Sequence, residues 1–157
     1  MASNVRRELK LDNFLPSIMS NLAATISRKL SSIYVQEYGL STSQWRILAN
    51  LAQYQTLTAS EIVSYTEMEK TRVSRAVSGL TQRGLLNQTR AAGDSRLKDL
   101  SLTVSGKELY QSIVPKVLIW ERELLNGLSS GEYRDLMYLL EKLKLQLGRT
   151  GSGTNSQ

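Results

Sequence analysis

A chain of 157 residues with 41% apolar content is long enough to build one domain with its own core. Its 20 Lys and Arg against 14 Asp and Glu leave a net charge of +6, which suits a polyanionic partner such as nucleic acid or an anionic membrane surface. Cysteine and histidine are both absent, which excludes disulfides, thiolate or imidazole metal sites and histidine-based nucleophile pairs; no enzyme, metal or cofactor is expected.

The first residues, Met1–Leu11, carry Arg6, Arg7, Glu8 and Lys10 without the apolar stretch of a secretory signal, and no apolar run reaches membrane-spanning length. A soluble cytoplasmic protein without membrane contact is expected. Phe14, Leu15, Ile18, Met19, Leu22, Ala23, Ile26, Leu30, Ile33 and Tyr34 then trace a long amphipathic helix that stops at Gly39. Three later helix starts carry a Ser or Thr three positions before a Glu or Gln, the pattern in which side chains and free backbone amides satisfy each other. Ser41 and Gln44 open a helix over about Thr42–Gln53, Thr58 and Glu61 open a short one to Thr66, and Ser129 and Glu132 open the last. That last helix has one apolar face, made by Tyr133, Leu136, Met137, Leu140, Leu143 and Leu147.

Between these, Leu85–Arg90 and Leu97–Leu102 read as two strands of a hairpin, with turn chemistry at Gly93 and Asp94. Thr103 then caps a second long helix through Leu109, Ile113, Val117, Trp120, Leu124 and Leu128, in which Pro115 predicts a kink or local break. The tail 148–157 has no apolar residue and is expected to be disordered. The fold class is therefore mainly α with a small β-hairpin wing: residues 41–103 form a winged helix-turn-helix, and residues 1–40 and 104–147 a region of long helices.

Glu69–Arg83 has the sharpest division of labour. At about 100° per residue, Val73, Val77 and Leu80 share a narrow face, while Thr71, Arg75, Ser78 and Gln82 lie opposite. Lys70, Arg72 and Ser74 flank that row near the amino-terminal end, the end that enters the major groove in helix-turn-helix proteins. Arginine can pair bidentately with guanine, and Ser and Thr bond with less selectivity. Thr58 and Ser60 start the preceding helix, where hydroxyls and amides can hold a phosphate. From Lys70 to Lys98 the basic residues Lys70, Arg72, Arg75, Arg83, Arg90, Arg96 and Lys98 face a single acid, Asp94, which is the footprint of phosphate neutralisation. A solvated helix face is the plain alternative for the helix taken alone.

These residues resemble the multiple antibiotic resistance regulator (MarR) family of winged-helix repressors. The run Glu69–Leu86 is similar to the family's recognition helix with its Gly-Leu exit, and Gly93–Gly106 to its wing signature: Asp-x-Arg, a basic residue, Leu-x-Leu-Thr and a downstream Gly. The resemblance covers about Phe14–Leu147. It implies that Arg96 is the wing-tip arginine of the minor groove, with Asp94 orienting it; a local turn salt bridge between the two is the alternative. It also implies a homodimer built by the first and last helices, whose wide apolar stripes call for a partner, bound to a pseudo-palindromic double-stranded operator.

The resemblance further implies release from DNA by a small aromatic or phenolic effector. Arg28, Tyr34, Tyr38, Trp45, Arg46 and Trp120 are the residues that could line its cleft, although Trp45 and Trp120 also fit the core and Arg46 an ordinary ion pair. Two other functions stand beside the regulator: a non-specific architectural DNA binder without an effector, and a winged helix used as a protein-interaction or enzyme scaffold. Glu67 and Glu69 are the carboxylates nearest to an acid–base pair, and they fit the turn and helix start better.

Overall fold

A 3-10 turn at Leu11–Asn13 leads into α1, Leu15–Tyr38, in a computed structural model that describes residues 9–150, save the side chains of 91, 94, 95, 149 and 150. Gly39 ends α1 in the left-handed region (φ 62°), so that the Gly39 and Leu40 amides donate back to the Val35 and Tyr34 carbonyls at 3.0 and 3.1 Å. Next come α2 (Thr42–Tyr54), β1 (Thr56–Thr58), α3 (Ala59–Thr66), α4 (Lys70–Gln82), β2 (Leu86–Ala91), β3 (Asp94–Leu102), α5 (Val104–Leu125) and α6 (Ser130–Thr150). The expected capping pairs form at α2, α3 and α6: the Gln44, Glu61 and Glu132 amides each donate to the preceding Ser or Thr hydroxyl, and their side chains accept from the cap amide.

Three details depart from the sequence reading. The wing is part of a three-stranded antiparallel sheet in the order β1-β3-β2, with Leu57 opposite Leu100; β1 is three residues long, too short for alternation to mark it. Helix α5 runs unbroken through Pro115, which is exposed; only the amide that would bond the Gln111 carbonyl is missing, and Gln111 is itself open to solvent. Helix α6 extends to Thr150, so residues 148–150 of the expected disordered tail are helical, carried on from the preceding turns; residues 151–157 lie outside those described.

The chain forms two units, Met1–Val117 and Leu118–Gln157. In the first, one core gathers Ile47, Leu48 and Leu51 of α2, Ile62 of α3, Val73, Ala76, Val77 and Leu80 of α4, Leu100 of β3 and Ile113 of α5. Trp45 is buried there between two rings, stacked on Tyr34 (centroids 5.4 Å apart) and on Tyr110 (5.7 Å). Gly106 permits the start of α5 to approach the α4–β2 link: a Cβ at that position would collide with the Leu85 carbonyl oxygen. The same carbonyl accepts from the Thr103 amide at 3.1 Å, and the Thr103 hydroxyl donates to the Gly84 carbonyl at 2.7 Å. In the second unit, α6 leaves Leu136, Met137, Leu143 and Leu147 between 39% and 71% exposed. The start of α1 is equally open, with Phe14, Leu15, Ile18, Met19 and Leu22 all exposed.

Candidate nucleic-acid interface

Helix α4 seats Val73, Val77 and Leu80 in the core, as the periodicity predicts, and Ala76 with them. Its polar residues do not form one row. Lys70, Ser74, Ser78 and Gln82, four apart along the helix, line a groove of about 620 Å³ together with Thr58 and Ser60 from the start of α3 and Arg96 and Lys98 from the hairpin. Thr71, Arg72 and Arg75 line a second groove of about 340 Å³ on the other flank, beside Ser41, Ser43, Gln44 and Glu69. The helix is thus a ridge between two troughs. Residues at intervals of four follow a line inclined to the helix axis, so neighbours on a projected wheel part company along a real surface.

Of the residues expected to meet DNA, eight share the hairpin-side groove and three the other. Arg90 lies in neither; it is exposed on β2, paired with Lys98 across the strands. The side chain of Asp94 lies outside those described. The strand register explains how Arg96 reaches the groove. Arg90 pairs with Lys98 and Ala91 with Asp94, so positions 95–97 of β3 have no partner on β2, an irregularity of the kind that re-aims side chains such as Arg96. The tip itself is a two-residue turn with Gly93 at φ 98°.

Sequence reasoning missed Thr81 and Gln88, which also line the hairpin-side groove; the Gln88 amide donates to the Thr81 hydroxyl at 3.0 Å and ties β2 to α4. It also missed Ser41, Ser43 and Gln44. No local signal points to these residues, because helix α2 reaches α4 only through tertiary packing. A Cβ on Gly79 would lie 2.7 Å from the Gln44 side-chain nitrogen Nε2, so that side chain would have to shift.

The electrostatics favour an anion. Among the described residues, Lys70, Arg72, Arg75 and Lys98 make no side-chain hydrogen bond or ion pair within the chain, so their charge is available to a ligand. Helices α2 and α3 carry complete capping boxes, whereas Glu69 makes no side-chain bond to the first amides of α4. Those free amides add partial positive charge where Lys70 and Arg72 already stand. At α3, by contrast, the Thr58 hydroxyl is engaged with Glu61, whose carboxyl is held below its ordinary pKa by the hydrogen bonds it accepts from Thr58. Ser60 next to it is exposed and has no side-chain partner among the described residues. The α3–α4 turn is made without glycine, since Glu67 takes the left-handed conformation (φ 53°) and Met68 is buried beneath it.

The six residues expected to line an effector cleft fall in different settings. Tyr34 and Trp45 are buried in the aromatic stack. Arg46 donates to the Thr66 carbonyl at 2.6 Å and so closes the end of α3. Tyr38 lies under the Lys116 ammonium at 5.1 Å, Arg28 is exposed on α1, and Trp120 belongs to the second unit. None of them lines either groove beside α4.

A helix-turn-helix whose second helix stands between two troughs edged by polar and basic side chains, flanked by a basic hairpin, defines a winged helix-turn-helix DNA-binding protein. A MarR family model matches residues 38–97. The HTH-type transcriptional regulator YwoH of Bacillus subtilis is 33% identical over 105 residues, 67% of this chain and 76% of that relative. The chain belongs to the MarR family of transcriptional regulators. The MarR/EmrR family regulator of Acinetobacter sp. ADP1 superposes with a TM-score of 0.82 at 26% identity, covering 90% of this chain and 99% of the other. Sco3205 of Streptomyces coelicolor, a MarR family regulator solved in complex with DNA, shares the fold at a TM-score of 0.76 and 20% identity, over 90% of this chain and 91% of that one. These relatives and neighbours are transcriptional regulators and not enzymes. Among the described residues no acidic cluster could hold a metal ion, and no helix is long and apolar enough to cross a membrane.

Proposed function

We propose that the protein is a homodimeric, sequence-specific repressor that acts in the cytoplasm, reading the major groove with α4 and the minor groove with the hairpin. The observation that carries this is the convergence of Lys70, Ser74, Ser78 and Gln82 with Arg96 and Lys98 on one groove, whose floor includes the buried Val73 and Val77, while Leu80 fixes the same helix in the core. Thr71, Arg72 and Arg75 form the other flank of the reading helix, and Arg90 adds to the basic field. The DNA complex of the Streptomyces coelicolor regulator supports the assignment by its fold. The exposed apolar residues on the start of α1 and along α6 support the dimer, since exposed apolar faces mark interaction surfaces. Its two reading helices would address half-sites about 34 Å apart, one turn of DNA.

The test is selection of a preferred duplex from a random-sequence pool, followed by binding of Arg75→Ala and Arg96→Ala. Arg75→Ala is expected to lose about 1–3 kcal/mol of discrimination at the base it reads. Arg96→Ala is expected to weaken binding and to lower the salt slope by about 1. Full specific binding by both variants would falsify the proposal, and a specific-to-nonspecific ratio near one would favour the architectural binder.

The effector rests on the family resemblance alone. A small aromatic or phenolic acid that loosens the grip on DNA by about 1–3 kcal/mol would give useful regulation. A ligand that binds only the folded chain raises its melting temperature, so a thermal-shift screen of such acids is the direct test; the absence of any shift would count against this part.

A further inference from the structure

Arg83 is one of the seven cations between Lys70 and Lys98, and it caps the end of α4. Its guanidinium does not join the two grooves. It turns back to α1, where Nη2 donates to the Tyr38 carbonyl at 3.0 Å and Nη1 to the Gly39 carbonyl at 3.2 Å. The last turn of α1 has no basic residue of its own and carries Glu37, the wrong charge for the negative end of a helix. Its complement comes from elsewhere in the fold. Lys116 of α5 pairs with Glu37 and lies over the Tyr38 ring, and the Tyr38 hydroxyl donates to the Ser112 carbonyl at 3.4 Å.

Two helices therefore grip one helix end, and one of them is the helix that carries the reading side chains. A planar guanidinium bonded to two successive carbonyls fixes direction as well as distance, which a single ammonium contact does not. Helix α4 is about 20 Å long, so a tilt of about 10° at this grip would move its amino-terminal end by roughly 3 Å. That is as large as a hydrogen-bond length at the base edges.

We propose that Arg83 is a positioning residue for DNA recognition: it sets the tilt of α4 on α1 through the Tyr38 and Gly39 carbonyls and touches no phosphate. The inference rests on the reading of α4 as the recognition helix. It assigns to one conspicuous cation a task opposite to the one its place in the basic run suggests.

The experiment measures affinity against salt for the wild type, Arg83→Ala, Arg83→Gln and Arg96→Ala. The probes are the duplex that the wild type selects from a random-sequence pool and two versions with the half-site spacing changed by one base pair. Arg83→Ala is expected to bind the selected duplex about tenfold more weakly with an unchanged salt slope, and to discriminate less among the three spacings. Arg83→Gln keeps a hydrogen-bond donor without the charge, guards against misfolding of the alanine variant, and is expected to fall between it and the wild type. A slope lower by about 1, as for Arg96→Ala, would mean that Arg83 contacts phosphate and would overturn the inference. Unchanged affinity and spacing preference in both Arg83 variants would overturn it equally. If the wild type selects no duplex, the regulator reading itself fails, while slopes on random-sequence duplex still decide whether Arg83 meets phosphate.

Discussion

The winged-helix region and the long helices around it bury their apolar residues on different terms. Between α2 and β3, Ile47, Leu48, Leu51, Ile62, Val73 and Leu80 are closed off within a single subunit. At the start of α1 and along α6, residues of the same kinds and helical spacing, such as Ile18, Leu22, Leu136 and Met137, remain exposed. Amphipathic periodicity is present in both regions, stronger in α2 and α4 than in α1 and α6; what differs most is whether the chain supplies the opposing surface. The first region covers its own apolar residues, and the second leaves many of its own exposed.

That contrast gives expected effects of descending size. Leu48→Ala should cost about 2–5 kcal/mol of unfolding free energy, independent of protein concentration, because the cavity forms inside the subunit. A smaller cost at every concentration in denaturant titrations would show that the region is less closed than it looks. Gly106→Ala should cost about 1–3 kcal/mol, since the added methyl meets a backbone carbonyl that cannot move without shifting the α4–β2 link. Thr58→Ala should cost about 0.5–2 kcal/mol through loss of the α3 cap. Leu136→Lys should change the stability of an isolated subunit by no more than about 0.5 kcal/mol. It should nonetheless turn a dimer into a monomer in sedimentation; an unchanged dimer would mean that the open face of α6 is not the interface.

The smallest effect is a pH dependence shared by both units. The Glu61 and Glu132 carboxyls lie below their ordinary value of 4.5 in the folded chain, chiefly through bonds accepted from the Thr58 and Ser129 amides. Their stabilisation is present above that value and fades as pH falls through it toward the folded values. Glu61→Gln, which keeps an acceptor but does not titrate, should flatten the acid limb of a melting curve. Lys116 moves the other way: its bond to Glu37, with a further one to Tyr38, raises it, so its contribution persists at neutral pH and is lost only in strong alkali, above its ordinary 10.5.

Much of the fold was legible because its signals are local. The three capping pairs, the stripe at 73, 77 and 80, and the glycine at 39 each act within a turn or two of helix. The candidate site was legible in composition but not in arrangement. One projected row became two troughs, divided by a ridge that only the packing of α2 and the hairpin against α4 creates. The arginines illustrate the limit most clearly. Arg46 and Arg83 are indistinguishable by type from Arg72, Arg75 and Arg96, yet the first two are committed to carbonyls at the ends of α3 and α1.

By itself, then, the amino-acid order determined which segments coil, where they begin, which faces avoid water, and that a basic winged helix sits at the centre. Those outcomes depend on neighbours three or four residues away. Tertiary structure alone decided which cations stay open to solvent and which hold helix ends, because a carbonyl that accepts an arginine across 45 positions is brought near it only by the completed fold.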